Sequence, residues 1–323
     1  MKIITKRFFI IALCVALTAV SLSLSSCKQS NGDGRLKVLC TVFPIYDWVT
    51  NVTKDCEAVS ASLLVDNGTD LHSYQPSFAD MAKIKESDVV IYVGGESDKW
   101  IEDSLEKDTV AIKLSEIEGV SLYSISSENI AQEDAHDHDA EHDHTDSFDE
   151  HLWLSVRNAI AACRYISSVL SDMDADNSEI YEQNALTYIN ALSELDSRLT
   201  EICSGVTSPV IFADRFPFVY LFNDYSVPYY AAFEGCSTDT NADFDTVIKL
   251  SDMLDTHACQ YVLTTESPID QLAQKAISES AQKTASVLSL DSMQSIISED
   301  IAAGSTYLGI MEHNADVLQK IFN

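Results

Sequence analysis

Five of the eight histidines fall within residues 136–151, HDHDAEHDHTDSFDEH. Imidazoles threaded between carboxylates are the donor set of a divalent transition-metal ion. His138-Asp139-Ala140-Glu141-His142 also spells H-x-x-E-H, a metalloprotease pattern that operates only when a helix puts both histidines on one face. No apolar stripe accompanies it and the neighbouring acids repel one another, so the spelling is accidental and the run reads as a polar loop. His136, His138, His142 and His144 can gather a cation there in several arrangements, which suits an accessory role. A tight site needs donors held by rigid elements and by partners behind them. Two histidines qualify. His72 sits in NGTDLHSYQPSFAD, just after the apolar run ASLLV, and His151 sits in FDEHLWLSVRNA, where polar loop gives way to apolar helix.

The elements that must carry those histidines follow from the hydrophobic pattern. LKVLCTVF, AVSASLLV, DVVIYVGG and TVAIKL read as strands, with FPIYDWVTNV, PSFADMAKIKE and SDKWIEDSLE as helices between them. PVIFAD, VPYYAAF, CQYVLTT and TASVLSL repeat the alternation in the second half. Strands alternating with helices predict an α/β fold of two similar lobes, each a mostly parallel sheet flanked by helices. Between them Tyr181, Ala185, Tyr188, Leu192, Leu195, Leu199 and Ile202 form one continuous stripe of a single long helix. Gly205 lies just beyond its end. That helix is either half of a hairpin or a rigid spine between the lobes. The expected boundaries are an N-terminal lobe at 35–177 (with the His/Asp-rich loop at 132–148), a linking helix at 178–203 and a C-terminal lobe at 204–323.

Residues 1–26 read as an export signal. Lys2, Lys6 and Arg7 precede the apolar run Phe8–Val20, which is shorter than the roughly 20 residues a bilayer span requires. Leu24-Ser25-Ser26-Cys27 has the form of a bacterial lipobox, so Cys27 is expected to carry lipid, with 27–34 as a tether and the mature chain outside the cytoplasm. Cleavage removes three cations and no acid, taking the formal charge from −31 to −34. Such a polyanion excludes nucleic acid as a partner and suits cations. The six cysteines beyond the signal and anchor contain no C-x-x-C pair, which argues against a zinc ribbon.

Three separated segments, in order, resemble the substrate-binding lipoproteins of bacterial zinc and manganese ABC importers, the ZnuA-like or cluster A-I family. Gly68, His72, Tyr74 and Pro76 match G-x-x-x-H-x-Y-x-P, with Leu71 in place of the usual proline. Asp149, His151, Trp153, Leu154 and Ser155 match D-P-H-x-W-L-S, with Glu150 in place of the proline. LSLDSM followed by GSTYLGIMEHNADVL resembles the family's final strand, its aspartate ligand at Asp291 and its last helix. The acidic, histidine-rich insertion is a feature of the family's zinc branch.

The resemblance implies a metal cleft between the lobes, with His72 and His151 from one side and Asp291 from the other. The family's third ligand, a His or Glu in a segment like H-D-A-F-x-Y, falls at Ala213 in FADRFPFVYLFNDY. Asp214 is then the nearest side chain able to bind, with Glu234 and Asp239 in reserve. Glu266 in LTTES matches a glutamate the family often carries near the cleft. The implied cargo is Zn²⁺, with Mn²⁺ compatible with the same donors. The implied partners are an ABC permease and its separate ATPase, and the membrane through a lipid anchor, for a chain acting as a monomer. A surface adhesin is the alternative outside transport. No G-x-S-x-G or P-loop is present, so the chain is expected not to be an enzyme.

Overall fold

The computed structural model describes residues 34–124, 127–131, 148–235, 242–266, 270–281 and 283–323. The signal segment, Cys27 and the histidine-rich loop at 136–144, together with Asp239, lie outside these residues. The first sheet is built from β1 (Leu36–Cys40), β2 (Val59–Leu63), β3 (Val89–Tyr92) and β4 (Val110–Lys113), in the order β2-β1-β3-β4. The second contains β5 (Val210–Phe216), β6 (Tyr229–Glu234), β7 (Tyr261–Thr264) and β8 (Ser286–Ser289), ordered β6-β5-β7-β8. All pairings are parallel, so both lobes share one winding. The central strand VVIY of β3 is buried along its whole length, as a strand covered on both faces must be.

Helices cover the sheets: α1 (Phe43–Val52) and α2 (Phe78–Glu86) on the first, and α5 (Val219–Asp224), α6 (Phe244–Thr256) and α7 (Gln271–Glu279) on the second. Ser77 caps α2 through a box in which its side chain accepts from Asp80 N while Asp80 accepts from Ser77 N. SDKWIEDSLE, read as an α-helix, forms only a 3₁₀ segment, Lys99–Ser104.

The long helix α4 spans Ser178–Cys203 and buries Tyr181, Ala185, Tyr188, Ile189, Leu192, Leu195, Leu199 and Cys203. Ile202 of the expected stripe is only half-buried, and Cys203 takes the inner position. Gly205 follows with φ of 77°, a left-handed turn that glycine adopts without penalty. Both readings of this helix hold together. It pairs with α3 (Val156–Met173) through the short turn Ala175–Asn177, and it also packs on α1 and on the last helix α9 (Tyr307–Phe322), which follows the short α8 (Ser298–Ala302). Residues Leu36–Asn323 form one compact unit, and a single apolar cluster runs from Val38 of β1 through α4 to Leu318 of α9. Lobes that share a core resist large hinge motions, because opening them would expose that cluster.

Candidate metal-binding cleft

In open parallel α/β sheets, binding groups collect beyond the carboxyl ends of the strands. Here those ends supply every residue of the cleft. The turn Leu71–Ser73 after β2 carries His72, and Asp70 holds it by accepting from His72 N at 3.0 Å. His151 opens the 3₁₀ turn Leu152–Leu154 that leads into α3, where Ser155 caps the helix by accepting from Asn158 N. The two imidazoles meet, with Nε2 to Nε2 at 3.2 Å and ring centroids 4.9 Å apart.

What stands behind each ring decides what its inner face can do. Asp149 accepts from both His151 N (2.9 Å) and His151 Nδ1 (2.8 Å). A carboxylate can only accept, so the His151 ring proton sits on Nδ1 and its Nε2 lone pair faces the cleft. His72 Nδ1 lies 2.8 Å from Ser97 Oγ and 3.3 Å from Glu150 Oε2. Glu150 is fixed by accepting from Ser97 N at 2.9 Å. The backbone at Gly95 passes so close that a Cβ there would fall 2.3 Å from Glu150 Oε1, so glycine is required. Asp98 in turn holds the Gly94-Gly95 turn by accepting from Val93 N, Gly94 N and Gly95 N. Burial outweighs those three bonds and pushes its carboxyl up to about 6.

The His151 ring is wholly buried, and the edge of Trp153 closes it off at 5.3 Å between centroids. Trp153 Nε1 donates to Ser292 O at 3.0 Å, and Tyr307 donates to Trp153 O at 2.8 Å. The N-terminal half of the cleft is therefore tied to the loop after β8.

The C-terminal half departs from expectation. Asp214 lies at a register irregularity of β5 between Phe212 and Arg215. Such bulges re-aim side chains. Asp214 accepts from Arg215 N, Thr265 N and Thr265 Oγ1 (2.6 Å), and so serves β7 instead of the imidazoles. Arg215 takes the cleft-facing place, its Nη1 donating to Asp70 Oδ2 at 2.9 Å. Asp291 folds back on its own loop, where Oδ1 accepts from Met293 N at 2.7 Å. Burial first, and the nearby Glu266 second, push its carboxyl up to about 6. Neither aspartate joins the imidazole pair, and among the described residues no three of His, Cys, Asp and Glu converge as metal ligands. Glu234 ends β6.

The residues that do approach were missed by sequence reasoning. Asp70 and Glu150 stood inside the quoted motifs, and Glu150 was visible as a departure from the family proline. Gln294 carried no signal at all: its terminal amide comes within 3.2 Å of His151 Nε2.

A two-lobed α/β protein with paired imidazoles at the strand ends belongs to the class of extracytoplasmic metal-binding proteins, and the comparisons agree. Residues 38–321 match the family model described as zinc-uptake complex component A, periplasmic, and the chain belongs to this ZnuA family. It is 29% identical over 311 residues to the zinc-binding lipoprotein AdcA of Streptococcus pneumoniae strain R6, covering 96% of this chain and 60% of that protein. The chain thus spans well under two thirds of the length of the AdcA relatives. It is 27% identical to the high-affinity zinc uptake system protein ZnuA of Bacillus subtilis, covering 96% of this chain and 95% of that one. The Zn(II)-bound ZnuA-like domain of S. pneumoniae AdcA superposes with a TM-score of 0.70 at 27% identity, covering 90% of this chain and 99% of that domain. The expected two-lobed α/β architecture and family are borne out. Among the described residues no helix is long and apolar enough to cross a membrane.

Proposed function

We propose that this protein captures Zn²⁺ outside the cytoplasm, with His72 and His151 as nitrogen donors, and delivers it to an ABC permease driven by a separate ATPase. One observation carries the reading: two Nε2 atoms stand 3.2 Å apart while both Nδ1 atoms face groups able to accept. Two lone pairs aimed at one point repel unless a cation lies between them. Ligands bonded at 2.0–2.1 Å to a tetrahedral zinc ion stand about 3.3–3.4 Å apart, which is this spacing. Carboxylates behind ligating imidazoles orient the rings and strengthen them as donors. The zinc-binding names of the relatives support the same cargo. Nitrogen donors favour zinc over manganese in the usual affinity order. Cys27 would anchor the chain by lipid, and the histidine-rich loop would raise the local concentration of metal without forming the pocket. Binding and release, with no open coordination position and base for water attack, describe a carrier and not an enzyme.

The test is zinc titration of metal-stripped protein against a chromophoric chelator. The intact chain and a variant lacking residues 136–146 should each hold one tight ion, while His72→Ala and His151→Ala should each weaken it at least 100-fold. Histidine variants that bind like the parent, or loss of the tight ion on deletion of the loop, would overturn the assignment.

A further inference from the structure

The imidazole pair accounts for two donors, and neither Asp214 nor Asp291 supplies a third. The group that reaches them from the C-terminal lobe is Gln294. The inner atom of its terminal amide lies 3.2 Å from His151 Nε2 and 2.8 Å from each oxygen of Asp70. The 3.2 Å separation equals the His72–His151 separation, so three atoms stand around one point at the spacing of a coordination edge.

Which atom of the amide faces inward is set by its outer side. The outer atom lies 3.1 Å from Ser292 Oγ. Ser292 Oγ donates its one proton to Glu266 Oε1 at 2.7 Å, and Glu266 Oε2 also accepts from Ser292 N at 2.9 Å. With that proton committed to a carboxylate, Ser292 Oγ can only accept from Gln294. The amide nitrogen therefore points outward to Ser292, and the amide oxygen points in. Inward, however, it meets only acceptors: the His151 Nε2 lone pair and the two Asp70 oxygens. Without a cation the inner side calls for the opposite orientation, nitrogen inward. The two sides of one amide make opposite demands, and a cation among the inner acceptors satisfies both.

We infer that Gln294 Oε1 is the metal's oxygen donor from the C-terminal lobe, and that Asp70 completes a set of two nitrogens and two oxygens. Asp70 is free to do so without giving up its other bonds. Oδ1 takes His72 N and Oδ2 takes Arg215 Nη1, which leaves a further lone pair on each oxygen toward Gln294. Glu266 then acts as a positioning residue, because it orients Ser292, which orients the amide. In the metal-free protein the amide turns its nitrogen inward and holds the place; when the ion enters, the side chain rotates by half a turn with no change of shape. The set carries one formal negative charge against the ion's two positive charges, which tunes the site toward release as well as capture.

This inference rests on the zinc-capture reading, and the experiment separates the two. Zinc affinity by chelator competition and the d–d absorption of the Co²⁺-loaded protein are measured for the parent, Gln294→Ala, Gln294→Glu and Asp70→Asn, with thermal melts to confirm folding. Gln294→Ala and Asp70→Asn should each weaken zinc about 10-fold or more and shift the Co²⁺ bands. Gln294→Glu, which keeps an oxygen at the same reach and adds charge, should bind at least as tightly as the parent. If Gln294→Ala stays within twofold of the parent, or weakens binding with an unchanged Co²⁺ spectrum, the inference falls while zinc capture by the histidines stands. If the parent itself holds no zinc, it is the zinc-capture reading that fails.

Discussion

The two walls of the cleft grow from sheets of the same strand order, yet they prepare their side chains in different ways. On the N-terminal wall each imidazole is backed by groups that do nothing else: Asp149 on His151, Glu150 and Ser97 on His72. On the C-terminal wall the charged groups answer to their own lobe first. Asp214 serves Thr265, Asp291 serves Met293 N, and Glu266 serves Ser292. One wall is fixed before the ion arrives; the other presents polar groups whose bonds must be rearranged to receive it. A carrier needs this asymmetry, because two rigid walls would bind without releasing.

The comparison can be broken most directly at Asp149. Asp149→Asn keeps the shape but offers His151 Nδ1 an amide in place of an obligatory acceptor, and zinc affinity should fall about 10- to 100-fold. Glu150→Gln should cost less, since its oxygen stands 3.3 Å from His72 Nδ1 against 2.8 Å for Asp149 on His151. Chelator competition on both variants reads the difference, and equal losses would show that the two backing carboxylates are equivalent.

A smaller effect is expected at Arg215, which pairs with Asp70 across the cleft through side chains 31% and 13% exposed. Arg215→Gln removes a positive charge from beside the cation and releases one Asp70 oxygen. Zinc should bind about 3- to 10-fold more tightly in low salt, with the gain shrinking as salt screens the partly exposed pair. Weaker binding would mean that the guanidinium is needed to hold Asp70 in place.

The smallest effect concerns stability. The carboxyl of Asp291 is pushed up to about 6 from an ordinary 3.8 by burial and by Glu266. A raised acid favours the protonated fold: its contribution is complete below about pH 4 and is lost as pH rises through 6. Asp291→Asn removes a charge that the fold disfavours, so the metal-free variant should exceed the parent by about 1–2 kcal/mol at pH 7 and match it near pH 4. Chemical denaturation at the two pH values checks this.

The legible parts of the molecule were those governed by local periodicity. β3 reads as VVIY because a strand covered on both faces has no polar side, and the stripe of α4 could be counted residue by residue apart from the exchange of Ile202 for Cys203. His72 and His151 were legible because each sits at a change of pattern, where strand or loop gives way to helix. Asp214 was a reasonable reading of FADRFPF, but a register irregularity in β5 turned it toward Thr265 and left the cleft to Arg215. Nothing in the local pattern announces such an irregularity.

Chain order and residue type determined the alternation of strands and helices, the long helix between the halves, and the two imidazoles at element ends, since each depends on neighbours a few positions away. Only the folded molecule decided which acids stand behind those imidazoles, that an arginine meets Asp70, and that an amide from residue 294 approaches His151. Those contacts join residues brought together by packing, and their donors and acceptors are shared out among all the partners present once the chain has closed.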